Sequence, residues 1–224
     1  MAEMPVATSP IVYWPLLLLG AYLLGSIPFA QVLARLRGVD LRAVGSGNVG
    51  AGNLTKAVGA GWGLAAGVLD GLKGLVPVWL CLRGGLGPGA AGLVGLAAVI
   101  GHNWSIFMKG RSGRGLATAF GLIVALHPPL AIWTTGWAIA GWKIGGGMAG
   151  FIGWGLLPIV SIAMGAQATE SMLILLLASV LIGRRMQGNP GDLMDSASMM
   201  RRAVYDKDLV TNGSGETADD PLTQ

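Results

Sequence analysis

The chain has 224 residues, of which 53% are hydrophobic and only 12% charged. A water-soluble domain carries roughly 25% charged residues, so this composition excludes a soluble globule of this size, and lipid is the solvent that suits the surplus apolar surface. The net charge of +4 is unevenly spread: residues 204–224 hold five acids and one base, while the remainder holds fourteen bases and six acids, a basic body suited to anionic lipids or substrates.

In chain order, the first apolar run covers 11–34. No basic segment precedes it, and Glu3 stands there instead, so the run is expected to be a retained span rather than a cleaved leader. Further apolar runs follow at 57–82, 89–108, 115–126, 130–142, 147–166 and 171–183. The first three runs approach or exceed the roughly 20 residues a helix needs to cross a bilayer. The fourth and fifth are short and divided by Pro128-Pro129, which predicts two tilted spans or a re-entrant hairpin. The expected fold is all-α: a polytopic transmembrane bundle of about seven (five to seven) spans, with short or broken helices.

Glycine supports that expectation. There are 38 glycines without a collagen-like period. Gly59, Gly63, Gly67 and Gly71 recur at four-residue spacing and predict one close-packed helix face. Cys81 is the sole cysteine, so no internal disulfide forms.

Charge predicts orientation. With the N-terminus outside and one crossing per run, the inside receives Arg35, Arg37, Arg42, Lys56, Lys109, Arg111, Arg114, Lys143, Arg184 and Arg185. The outside receives Arg83 alone, a strong positive-inside bias. Residues 1–183 are then the membrane domain and 184–224 a cytoplasmic tail, of which 208–224 reads as disordered. Lys73 stays inside a span with Asp70 one turn before it, either as a structural ion pair or as a group lining a polar site.

Polar stretches interrupt the apolar pattern on the basic side. In DLRAVGSGNVGAGNLTK (40–56), four glycines alternate with Ser46, Asn48 and Asn53 between Arg42 and Lys56. Such a loop can turn backbone N–H groups toward one anion and feed a helix N-terminus, although a merely flexible glycine loop has the same composition. In GHNWSIFMKGRSGRGLAT (101–118), His102 and Ser105 close a span, and Lys109, Arg111 and Arg114 surround Ser112-Gly113 before a new helix. The stretch GRRMQGNPGDLMDSASMMRR (183–202) carries a weaker signal, and its Arg184 and Arg185 are expected to be end-of-span anchors. Two cationic cradles suit a substrate with two phosphates or two phosphorylated substrates, and the apolar spans suit a fatty chain.

These stretches carry a resemblance. GSIPFAQVLARLRGVDLRAVGSGNVGAGNLTKAVG (25–59), LDGLKGLVPV (69–78) and GHNWSIFMKGRSGRGLATAFG (101–121) are similar to the motifs of the bacterial membrane acyl-phosphate:glycerol-3-phosphate acyltransferases. The resemblance covers roughly 20–125 through motifs and the rest through hydropathy. It implies transfer of a fatty acyl group from acyl phosphate to the sn-1 hydroxyl of glycerol 3-phosphate in the cell (inner) membrane, with lysophosphatidic acid and phosphate as products. It implies no metal or cofactor, and an acyl-phosphate-producing enzyme as a possible partner. The chain departs from the family pattern at Arg111 and Arg114, which stand where lysines are usual, and at Ser112, which replaces a glycine. WKIGGGMAG (142–150) lacks the family's serine, and GRRMQGNPGD (183–192) lacks its third-motif His. Position 107 after His102 is Phe107, so the His-x-x-x-x-Asp pattern of acyl-CoA-dependent glycerolipid acyltransferases is missing.

The expected site follows. Arg42, Ser46, Gly47, Asn48 and Asn53 form one cradle, and Lys73, Ser105, Arg111, Ser112, Gly113, Arg114 and Thr118 form the other. His102, Ser46 and Lys73 are the groups placed for catalysis, with His102 or the donor's own phosphate taking the hydroxyl proton. The alternatives are an anion or glycerol-phosphate transporter, and an inactive homologue that binds lipid phosphate.

Overall fold

The computed structural model describes residues 13–110, 112–144, 146–188 and 196–205. The described residues form helices: α1 (Trp14–Ser26), α2 (Phe29–Arg35), α3 (Ala51–Val58), α4 (Ala60–Arg83), α5 (Pro88–Asn103), α6 (Leu116–Leu126), α7 (Pro128–Ile144), α8 (Gly146–Gly155), α9 (Leu157–Ala163), α10 (Ala168–Gln187) and α11 (Ser196–Tyr205). A 3-10 turn, Ile106–Met108, follows α5. Arg111 and the acidic end of the chain lie outside the described residues.

Each apolar run of the sequence becomes a helix or a broken pair. Among the described residues, three stretches are long and apolar enough to cross a membrane: Trp14–Arg35, Ala60–Arg83 and Pro88–Met108. The first is broken between α1 and α2, because Pro28 has no N–H to continue the ladder. The Pro128-Pro129 pair starts α7 one residue after α6 ends, with His127 between them. At 11 residues, α6 is roughly 16 Å long, about half of the 30 Å hydrocarbon core.

The helix α4 shows how glycine builds the bundle. Leu64, Val68, Leu72, Val76 and Leu80 form an exposed stripe at four-residue spacing, the face suited to lipid. Its other side carries small residues against α3 and α6. A Cβ on Gly63 would lie 1.8 Å from Thr55 Oγ1, and one on Gly74 would lie 1.9 Å from the Thr118 carbonyl oxygen. Gly121 of α6 answers with a Cβ position 1.9 Å from the Gly71 carbonyl oxygen. Gly59 departs from the expected face: it sits at φ +125 as the cap between α3 and α4, with open space around it. The same kind of contact joins α1 to α5, where Gly101 faces the Tyr22 carbonyl oxygen at 2.1 Å from its Cβ position.

These contacts predict an asymmetry. Gly74→Ala and Gly101→Ala must push backbones apart and are expected to destabilise the protein by about 2–3 kcal/mol. Gly20→Ala, in α1 with nothing within 4 Å, is expected to be neutral or stabilising by about 0.5–1 kcal/mol. Thermal unfolding of the three variants in one detergent checks this, and equal melting temperatures would contradict the packing.

Val78, Val94, Leu122, Ile123, Ile174 and Leu177 form the main core, shared by α4, α5, α6 and α10. A second, smaller core lies beneath the first polar loop, where Leu41, Val49 and Leu54 pack with Ala30, Ala66 and Met108. That cluster anchors a glycine-rich loop to the bundle, and so sets where its polar groups stand.

Candidate active site

The first loop is organised by one amide. Asn53, buried at the start of α3, donates Nδ2 to the carbonyl oxygens of Leu41 (3.0 Å), Val44 (3.0 Å) and Asn48 (3.1 Å). Its Oδ1 accepts from the Ser46 backbone N–H at 3.4 Å. The expected ligand group is thus an internal staple that curls 41–48 around itself. Gly45 and Gly47 take the left-handed conformations this curl requires, at φ +57 and +66, and a Cβ on Gly45 would lie 2.3 Å from Asn53 Oδ1. The Ser46 residue is exposed at the curl's rim, and Asn48 is half-buried.

Asp40 organises the loop's entry. Its carboxylate accepts from Gln31 Nε2 (3.0 Å), from the Arg42 backbone N–H (3.1 Å) and from Arg42 Nε (3.2 Å) and Nη2 (2.9 Å). The forked Arg42 bonds, then the Arg42 backbone N–H, hold the Asp40 carboxyl well below the usual carboxylate range and raise Arg42 in turn. Both side chains are about 40% exposed, so Arg42 stands at the surface with two of its nitrogens already committed to Asp40.

The second motif lies against the first. A Cβ on Gly113 would be 2.1 Å from His102 Nε2 and 2.9 Å from the Val49 carbonyl oxygen, so His102 sits where the loops meet. His102 Nδ1 is turned inward, 3.2 Å from Lys73 Nζ and 3.6 Å from Asp70 Oδ1. Lys73 is fully buried and also reaches Asp70 Oδ1 (2.7 Å), the Gly25 carbonyl (3.0 Å) and the Ile27 carbonyl (2.7 Å). Ser105 Oγ donates to the Ser26 carbonyl at 2.5 Å. Lys73 and Ser105 therefore satisfy three successive carbonyls exposed by the α1–α2 break, where no lipid group can.

Two residues of the motif carry polar atoms that no described residue satisfies. Both amide atoms of Asn103 and the hydroxyl of Thr118 are buried without a partner in the structure. Thr118 lies in the first turn of α6, whose N-cap Gly115 has φ +74 and a Cβ position 2.4 Å from Asn103 Oδ1. Gly113 and the buried Ser112 lead into that turn, Arg114 beside them is half-buried, and Lys109 is exposed.

Arg184 and Arg185 are corrected by the structure. The helix α10 continues through both to Gln187, and they are 3% and 7% exposed rather than solvated anchors. Arg184 donates to the carbonyl oxygens of Asn103 (3.2 Å), Ser112 (3.1 Å) and Gly188 and so ties the second motif to the end of α10. Arg185 Nε donates to the Arg202 carbonyl at 2.9 Å, and Arg202 Nε returns a bond to the Met186 carbonyl at 3.1 Å, clasping α11. The paired arginines at the end of the last apolar run were the only sequence signal for this role.

An apolar cavity of about 410 Å³ opens beside the start of α6, lined by Leu116, Phe120, Trp137, Ala138, Gly153 and Trp154 among others. This is within the roughly 300–1,000 Å³ range of ligand sites. A smaller recess shares Leu116, Gly150 and Trp154 with it and adds Arg114 and Arg185. Two arginines beside the second motif thus line a recess that adjoins the apolar cavity.

A helical membrane bundle in which glycine-rich cationic loops stand near an apolar cavity suits a membrane-embedded enzyme of phosphorylated lipids. The family model described as glycerol-3-phosphate acyltransferase matches residues 15–196. The chain is 40% identical over 178 residues to a glycerol-3-phosphate acyltransferase of Thermus thermophilus, covering 75% of this chain and 84% of that protein. It is 50% identical over 125 residues to glycerol-3-phosphate acyltransferase 1 of Deinococcus radiodurans, covering 56% and 63%. Among solved structures it resembles PlsY, an integral membrane glycerol 3-phosphate acyltransferase, in its glycerol 3-phosphate form: TM-score 0.72, 34% identity, 78% of this chain and 88% of that one. The lysophosphatidic acid form of PlsY gives a TM-score of 0.71 at 32% identity. The chain belongs to the glycerol-3-phosphate acyltransferase family, and it is an integral membrane acyltransferase.

Proposed function

We propose that this enzyme takes a fatty acyl group from acyl phosphate and places it on the sn-1 hydroxyl of glycerol 3-phosphate, releasing lysophosphatidic acid and inorganic phosphate. The observation that carries this reading is the convergence at His102 of two glycine-rich loops, near an apolar cavity whose neighbouring recess is lined by Arg114 and Arg185. The names of the relatives, and the ligand forms of PlsY, support the acceptor and the product.

Acyl phosphate is a mixed anhydride and needs no further activation. The hydroxyl oxygen attacks the acyl carbon, the bond from that carbon to the phosphate oxygen breaks, and the hydroxyl proton leaves with the phosphate. The protein's task is to align the reactants and neutralise charge on the two phosphates. The rim of the first loop, Ser46, Gly47, Asn48 and Arg42, serves one phosphate. Ser112, Gly113, Arg114 and Thr118, with the N-terminus of α6, serve the other, and Arg111 extends that cationic edge. The cavity beside α6 takes the fatty chain. Asn53, Ser105 and Lys73 act through the backbone they hold.

The charge asymmetry supports an inner-membrane enzyme with the N-terminus outside and both loops in the cytoplasm. The contacts of Gly113 with Val49 and of Arg184 with Ser112 bring the first loop, the second motif and the end of α10 together, which supports a shared side for them.

The test is turnover by the purified, full-length protein. Acyl phosphate with glycerol 3-phosphate is expected to yield lysophosphatidic acid and phosphate in equal amounts, and acyl-CoA is expected to yield none. Equal rates with acyl-CoA would overturn the donor assignment. Passage of glycerol 3-phosphate into vesicles without product would favour a transporter.

A further inference from the structure

Pro28 breaks the first span and leaves the Gly25, Ser26 and Ile27 carbonyls without helical partners at the end of α1. The residue that answers most of that demand, Lys73, also touches the one imidazole at the meeting of the loops. Around its ammonium stand two backbone carbonyls, the Asp70 carboxylate, His102 Nδ1 and, at 5.3 Å, the Phe29 ring. The chemistry of this contact has a consequence for the histidine.

An ammonium has donors only and no lone pair. Against a protonated Lys73, an Nδ1–H at 3.2 Å would set two N–H groups against each other; the nearer Asp70, Ile27 and Gly25 oxygens take the ammonium's three N–H bonds first, and the remaining contact favours the lone pair on Nδ1. The competing acceptor for an Nδ1 proton, Asp70 Oδ1, is farther away at 3.6 Å and is itself engaged by Lys73 at 2.7 Å. A neutral imidazole with Nδ1 as acceptor carries its proton on Nε2. That nitrogen lies at the loop junction, beside Gly113 and the Val49 carbonyl.

We propose that Asp70 and Lys73 are positioning residues that fix His102 in the Nε2–H form, so that the imidazole presents a hydrogen-bond donor, rather than a base, to a substrate phosphate oxygen between the two loops. The phosphate part rests on the functional reading above; the tautomer does not. This assigns His102 a role different from the proton acceptor expected of a histidine beside a hydroxyl substrate. It also explains the expense of a lysine buried in a span: one side chain caps the helix break and sets the ring.

The chain has only two histidines, so selective labelling reads the tautomer directly. Nitrogen NMR of ¹⁵N-histidine protein in lipid nanodiscs, with His127→Gln for assignment, is expected to show His102 protonated at Nε2 and unprotonated at Nδ1 at pH 7.5. Lys73→Met is expected to move the proton to Nδ1, toward Asp70. Wild-type His102 as the Nδ1–H form or as imidazolium would overturn the proposal. If Lys73→Met does not fold, activity decides. His102→Gln puts an amide N–H near the Nε2 position and is expected to stay within about tenfold of wild type, while His102→Asn is expected to fall by about 100-fold. Equal loss in both would mark His102 as a base and overturn the proposal. An Nε2 resonance that is protonated but does not respond to inorganic phosphate or glycerol 3-phosphate would overturn the phosphate contact and leave the tautomer standing, which separates the two readings.

Discussion

Asn53→Ala is expected to lower the acyl-transfer rate by roughly 100-fold or more at low substrate while the protein still inserts and folds. The amide makes four hydrogen bonds within the first loop, three to the carbonyls of Leu41, Val44 and Asn48 and one from the Ser46 N–H. At a net value of about 1 kcal/mol each, their loss removes roughly 3–4 kcal/mol from the ordered form of the loop. Each 1.36 kcal/mol that reappears in the barrier is about tenfold in rate. The apolar anchors Leu41, Val49 and Leu54 remain, so the damage stays local. Asn53→Asp keeps the acceptor for Ser46 but sets a carboxylate against three carbonyl oxygens, and it is expected to be no better than alanine. Specific activity per correctly inserted molecule is the measurement. Unchanged activity in Asn53→Ala would mean that the curl of 41–48 has no part in the reaction.

Gly113→Val is expected to remove activity almost entirely, by about 100-fold or more. A first side-chain carbon there falls 2.1 Å from His102 Nε2 and 2.9 Å from the Val49 carbonyl, so the loops must part or the imidazole must leave its place. The collision is at the end of the bundle, away from the core formed by Val94, Leu122 and Leu177. Misplacement of reacting groups by about 1 Å costs on the order of 100-fold in rate. Gly110→Ala serves as the control for φ strain without contact, since Gly110 has φ +75 and open space. It is expected to lose far less activity. Equal loss in the two would show that the flexibility of the 109–115 loop matters rather than its contact with His102.

Much of this could be read from local pattern. Few charges and long apolar runs dictate a membrane bundle, and Pro128-Pro129 divides α6 from α7 as the pair must. The two polar stretches singled out by their glycines and charges meet in the structure, where Gly113 lies against His102 and Val49. Gly74 and Gly121 are helix contacts of the kind that glycine-rich spans predict. The family resemblance pointed the same way and agrees with the relatives at 40% and 50% identity.

The roles of single residues within the site were different. Composition and spacing determined the solvent, the number of apolar runs and the position of the two cationic glycine loops, because hydropathy and helix-breaking act over a few residues. Only the tertiary structure decided that Asn53 staples its own loop, that Ser105 and Lys73 cap the α1–α2 break, and that Arg184 holds the second motif. Lys73 meets Gly25 across 48 residues of sequence, and Arg184 meets Asn103 across 81. A buried donor takes the nearest acceptor that packing supplies, and packing brings together segments whose separation in sequence carries no signal.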